Sequence, residues 1–298
     1  MTTMDAEAKY LDADGVRTRY FDAGKGEPVV LLHGGVMGER NAAASAEDWE
    51  LNFVAIAGTH RAIAVDRLGQ GRTDNPSRNA DYTMSTVTAH LVAFLRALGQ
   101  GPYHVVGHAE GGYLALRLAV YEPDLVASCV VVDSDTAAPG VGRSEYVLAT
   151  NPHPRGSAEA VRFSHEARSA DTGHVSAAWL DRQMAFVGDD KHQHAIAKMG
   201  DEGLRASQFG PKLLAERLDL LDRITLRPVQ RPVLVYWGYN DPVAPIEMGL
   251  KLYDMVAKHQ FRTQMHTVNK TGHFSFRERP SEFNRVICEF VEGVSYGD

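Results

Sequence analysis

The chain has 298 residues, 44% hydrophobic and 23% charged, with a formal net charge of -7. Those proportions support a packed core and exclude a disordered chain. An acidic chain without a Lys/Arg block is a poor binder of nucleic acid or anionic membrane. The two cysteines, Cys129 and Cys288, lie far apart in apolar runs. They read as buried free thiols of a reducing, cytoplasmic setting. Met1 to Asp14 is polar and acidic and lacks the basic and apolar regions of a secretion signal. No apolar run reaches the roughly 18–20 residues that a membrane span needs.

In chain order, Val16 to Ala23 reads as an edge strand and Gly24-Lys25-Gly26 as a turn. Pro28 to Leu32 is almost wholly apolar, as strands covered on both faces are. It ends at His33-Gly34-Gly35. Arg61 to Asp66 is the next strand, followed by a Gly-rich loop. Thr83 to Leu98 has helical spacing and Gly99 is its predicted C-cap. Tyr103 to Val106 is a strand, Gly111 to Tyr121 a helix and Ala127 to Val132 another buried strand. From 137 to 227 the β signal vanishes, and helices are predicted over Val175 to Val187, His192 to Lys198 and Lys212 to Asp222. Strands resume at Val233 to Trp237 and Gln264 to Val268, and an amphipathic helix, Ser281 to Val291, closes the chain.

Strands alternating with helices imply an α/β fold with a mostly parallel, doubly wound sheet. Residues 1–136 and 228–298 form the predicted core, and 137–227 an inserted helical cap.

The segment Gly107-His108-Ala109-Glu110-Gly111-Gly112 lies between a strand and a helix. It has the form G-x-S-x-G with alanine in place of serine. The glycines suit a tight strand-to-helix turn that exposes the central side chain. Asp241 follows the late strand Val233 to Trp237, and His273 follows the last strand. The chain order of elbow, acid and histidine suits a charge-oriented general base. Asp133 and Asp135 are a second source for the acid. His33-Gly34-Gly35-Val36 is a Gly-rich turn that can offer backbone N–H groups to an oxyanion, with Gly35 and Glu110 as the two donors. His192 and His194 have no evident carboxylate or cysteine partner and do not form a metal site. No dinucleotide fingerprint or phosphate loop is present, so no cofactor is expected.

These residues resemble the α/β-hydrolase superfamily and, more narrowly, the meta-cleavage-product hydrolases. Those enzymes cut a carbon–carbon bond in vinylogous 1,5-diketones from aromatic-ring breakdown. The resemblance covers almost the whole chain. It is carried by Leu32-His33-Gly34-Gly35, Trp237-Gly238 through Asp241, Gly249-Leu250-Lys251-Leu252, Gly272-His273 and Glu282-Phe283-Asn284-Arg285. It implies a serine hydrolase whose nucleophile is replaced by Ala109, an inactivating and deliberate substitution. Arg182 falls where a cap arginine of that family grips the substrate's carboxylate or dienolate. Trp179, Gly34, Val36, His108 and Phe274 are the other implied substrate contacts. Phe274 stands where the family has tryptophan, His108 where it has asparagine, and Glu110 where methionine is common. The resemblance also implies a small-molecule substrate and a homodimer. An esterase or lactonase with the same triad, and a non-catalytic binding homologue, are the alternative readings.

Overall fold

The computed structural model describes Met4 and residues 7–295. The leader reading of Met1 to Asp14 lies partly outside the described residues. Eight strands form one sheet: β1 Lys9–Ala13, β2 Val16–Gly24, β3 Pro28–Leu32, β4 Arg61–Val65, β5 Tyr103–His108, β6 Val126–Val132, β7 Val233–Gly238 and β8 Thr263–Val268. Their order is β1-β2-β4-β3-β5-β6-β7-β8. The β1–β2 and β2–β4 pairs are antiparallel and all other pairs are parallel.

Among the described residues, eleven α-helices accompany the sheet: α1 Phe53–Ala57, α2 Met84–Leu98, α3 Glu110–Tyr121, α4 Ser144–Leu148, α5 Ala158–Glu166, α6 Ala177–Val187, α7 Asp190–Ile196, α8 Gly210–Leu226, α9 Ile246–Ala257, α10 Ser275–Glu278 and α11 Pro280–Ser295. Alternate strand residues enter two separate cores, because side chains alternate across a strand. Val30, Leu32, Val105, Val131 and Val235 pack with α2, α3 and α9. Val29, Leu31, Val106, Val130 and Leu234 pack with α1 and α11. Both faces are therefore covered, which is why these strands read as continuous apolar runs.

The local signals act as their chemistry dictates. Thr83 Oγ1 accepts the N–H of Thr86 at 3.1 Å and starts α2. Gly99 ends it in the left-handed conformation at φ 68°. Between β6 and β7 the chain contains helices and no strand. Val161, Val175, Trp179, Leu180 and Phe186 from that segment build a third apolar cluster together with Ala43 from the β3–β4 connection.

The structure departs from the sequence expectations at several points. Strand β1 went unpredicted, because its exposed edge position leaves Lys9 and Tyr10 outside the core. Helices α5 and α9 also went unpredicted. Cys129 is buried as expected, but Cys288 is half-buried and accepts a hydrogen bond from Thr59 Oγ1. No helix among the described residues is long and apolar enough to cross a membrane.

Candidate active site

The strand β5 delivers the chain to Ala109, and α3 carries it away. Ala109 has φ 48° and ψ -118°, a conformation that L-residues rarely adopt. Hydrogen bonds from outside α3 hold the corner. Ala109 N–H donates to Val132 O at 3.0 Å, and Ser134 Oγ donates to Ala109 O. The glycines are sterically required. A Cβ on Gly107 would lie 2.0 Å from Gly111 O, and one on Gly111 would lie 2.3 Å from Leu32 O.

Opposite the elbow runs the turn after β3. A Cβ on Gly34 would sit 2.9 Å from Ala109 Cβ and 2.7 Å from His108 Nδ1, so backbone passes directly over the corner. Arg67 Nη2 grips the carbonyl of Gly34 at 2.6 Å and also bonds that of Gly35, while Gln70 Nε2 bonds Gly35 O at 2.8 Å. In a trans peptide the following N–H points opposite to the carbonyl. The N–H groups of Gly35 and Val36 are thus turned away from Arg67. The N–H of Glu110 opens α3 and has no intrahelical acceptor.

His273 lies beyond β8. Its Nδ1–H donates to Asp241 Oδ2 at 2.8 Å. Asp241 Oδ1 in turn accepts the N–H groups of Val243 at 2.7 Å and Ala244 at 2.9 Å. The proton on Nδ1 leaves Nε2 with its lone pair. Burial, helped by the positive charge of Arg168, holds the imidazole below its ordinary value, so it is an unprotonated base at neutral pH. The same burial presses Asp241 upward, against its two backbone donors. Asp133, the alternative acid, does not touch this ring. Its carboxylate accepts the Gly238 N–H at 2.6 Å and the hydroxyl of Ser275, so it braces the loop that carries His273. Asp135 lines the cavity instead, and burial together with Glu110 pushes it up to about 7.

Ala109, His273, Gly34, Gly35, Val36, His108, Glu110 and Phe274 all line one cavity of about 750 Å³. His108 donates from Nε2 to the carbonyl of His273 at 2.8 Å, tying the elbow to the histidine loop. The sequence placed two further residues at this cavity that the structure puts elsewhere. Arg182 is ion-paired to Glu50, which also holds Arg277 at 2.9 Å. Trp179 packs edge-on to His165 with ring centroids 4.3 Å apart, in the cluster behind the cavity wall.

Arg168 and His165 also line the cavity and are not among the residues the sequence pointed to. Arg168 Nε donates to Ser164 O at 2.6 Å, and the guanidinium carbon lies 5.0 Å over the Phe274 ring. Its terminal nitrogens have no carboxylate partner among the described residues. The other arginines that line the interior are engaged: Arg40 with Asp201 and Arg205 with Glu39 at 3.2 Å. Arg155 lies exposed at the rim.

A base oriented by a buried acid, a strained corner over a Gly-rich turn and a covered parallel sheet define the class. The family described as "alpha/beta hydrolase fold" matches residues 27–280, and the chain belongs to it. Within that class it resembles the meta-cleavage product hydrolases. The 2-hydroxy-6-oxo-6-(2'-aminophenyl)hexa-2,4-dienoic acid hydrolase of Metapseudomonas resinovorans is 27% identical, with 95% of this chain and 90% of that protein covered. The 2-hydroxymuconate semialdehyde hydrolase of Pseudomonas sp. (strain CF600) is 26% identical, with 94% and 92% covered. Among solved structures, a serine-to-alanine mutant of the meta-cleavage product hydrolase from Pseudomonas fluorescens IP01, complexed with acetates, has a TM-score of 0.78 and 26% identity. It covers 95% of this chain and 97% of its own.

Proposed function

We propose that this fold hydrolyses the carbon–carbon bond beside the ketone of a 2-hydroxy-6-oxo-dienoate, and that Ala109 stands in the place of a nucleophilic serine. The observation that carries the reading is a methyl group held at φ 48° in the cavity that His273 also lines, with the His273 ring bonded to the buried Asp241. A binding protein has no use for that pair or for that strain. With serine at 109, His273 is the base and Asp241 its orienting acid, whether the serine attacks the carbonyl or activates water. The N–H groups of Gly35 and Glu110 receive the oxyanion. Arg168, a half-buried cavity cation without a carboxylate partner among the described residues, takes the substrate's acid group, the role first ascribed to Arg182. Gly34, Val36, His108 and Phe274 shape the rest of the wall. The chain as it stands binds substrate and turns it over slowly or not at all.

The test is Ala109→Ser, assayed on 2-hydroxy-6-oxo-dienoates and on simple aryl esters. Loss of such a nucleophile costs on the order of 10⁶ in kcat, so activity on the dienoate is expected to rise by several orders of magnitude. Esters turned over far faster than any dienoate would move the assignment to an esterase or lactonase. No gain on either class would leave a ligand-binding homologue.

A further inference from the structure

His165 lies near the C-terminal end of α5 and Arg168 in the turn just after it; both line the cavity, and both pack on the Phe274 ring. His165 is only 6% exposed. Its Nδ1–H donates to Val161 O at 3.0 Å, which fixes the tautomer. The ring stacks on Phe274 with centroids 5.2 Å apart and an interplanar angle of 22°, and Trp179 abuts it edge-on. It is therefore held firmly in place, with a lone pair on Nε2 that has no protein partner among the described residues. Burial and the adjacent Arg168 cation keep the imidazole well below its ordinary value, so it stays an acceptor. A buried acceptor beside an unpaired guanidinium suits a ligand end that carries a hydroxyl next to a carboxylate.

We propose that His165 and Arg168 form a two-point receiver for a 2-hydroxy acid, Arg168 taking the carboxylate and His165 Nε2 accepting the hydrogen bond of the neighbouring hydroxyl. His165 is then a specificity-determining residue that selects the enol over a ligand without that hydroxyl. The substrate class rests on the function proposed above, but the receiver itself needs nothing from position 109.

The chain can be tested as it stands, by calorimetric titration with a 2-hydroxy-6-oxo-dienoate and with its analogue lacking the 2-hydroxyl. The unsubstituted chain is expected to favour the hydroxylated ligand by about tenfold or more, because the analogue leaves a buried acceptor unpaired. His165→Phe keeps the stacking and is expected to abolish that preference while still binding the analogue. His165→Gln restores an acceptor and should recover part of it. Arg168→Met should weaken both ligands alike. Equal affinity for the two ligands in the unsubstituted chain, or a preference that survives His165→Phe, would overturn the receiver. Turnover of the dienoate by Ala109→Ser without hydroxyl discrimination sinks the receiver alone. Discrimination without turnover sinks the proposed reaction alone.

Discussion

The carbonyl oxygen of Arg168 accepts the backbone N–H of His273 at 2.8 Å. The segment after α5 and the loop of His273 are thus joined through main chain, with glycine at the point of closest approach. A Cβ on Gly272 would fall 2.6 Å from Arg168 O and 2.7 Å from Ala170 N. Glu278 reinforces the junction: its carboxylate accepts the N–H of Gly272 at 3.0 Å and of Asp171 at 2.9 Å. Gly272→Ala must push backbone from backbone, and is expected to cost about 1–3 kcal/mol and to weaken ligand binding. Gly293→Ala is the control. Nothing lies within 4 Å of a Cβ there. An alanine inside α11 should stabilise by roughly 0.5–1 kcal/mol. Denaturant midpoints that fall for both variants would contradict the steric account.

The two aspartates near the histidine loop divide their work. In the Ala109→Ser background, Asp241→Asn removes the charge that orients His273, and kcat is expected to drop by about 10⁴. Asp133→Asn instead weakens the brace to Gly238 and Ser275. It should lower thermal stability while leaving activity within about tenfold, since breaking a buried hydrogen-bonded group is chiefly a folding cost. Steady-state kinetics and melting curves on the two variants should therefore move in opposite proportion.

The pH profile follows from burial. A depressed histidine stays neutral as pH falls past its ordinary value near 6.5, so the base is lost only at more acidic pH. In the Ala109→Ser enzyme the acid limb of kcat/KM is expected below pH 6.5. Arg168 is the second cause of the shift after burial. Removing its charge in Arg168→Met should move the limb upward, toward neutrality, in addition to raising KM. Linkage has the same sign: the unfolded chain binds this proton before the folded one does. The His273 contribution to stability is therefore full above about pH 6.5 and is lost as pH falls toward its folded value.

Arg168 and Arg182 separate what the residues alone foretell from what needs coordinates. The sheet was legible because strands buried on both faces are apolar throughout, and the elbow because Gly107 and Gly111 admit no other residue. Asp241 and His273 were legible because each follows a strand end. Helix α5 was not, since half of its buried face is Ser164 and His165, which hides the apolar period. With α5 went His165 and, just past the helix end, Arg168. Arg182 sits on a helix that was found, but which carboxylate it meets depends on how that helix lies over Glu50, and spacing carries no such information. Arg182→Met is accordingly expected to leave ligand affinity nearly unchanged and to lower the melting temperature by a few degrees, as the ion pair of a partly exposed arginine with the buried Glu50 is lost. Arg168→Met should do the reverse, with at least tenfold weaker binding of carboxylate ligands. A titration in which Arg182→Met is the more damaging variant would return the substrate-gripping role to it.

Position 109 tests whether the corner is strained for the sake of its side chain. An L-residue at φ 48° and ψ -118° carries backbone strain of order 1–3 kcal/mol. A glycine avoids it, at the loss of a single methyl group that faces the cavity. Against this stands the greater entropy that a glycine loses on folding, roughly 0.5–1 kcal/mol. The strain exceeds that loss, so Ala109→Gly is expected to be neutral or stabilising by up to about 2 kcal/mol, unlike most substitutions at a buried site. Ala109→Ser gains no such relief and should restore chemistry at unchanged or lower stability. A glycine variant that unfolds at markedly lower denaturant than the alanine chain would mean the corner is relaxed. The conformation would then be a property of the turn itself rather than a cost borne for a nucleophile.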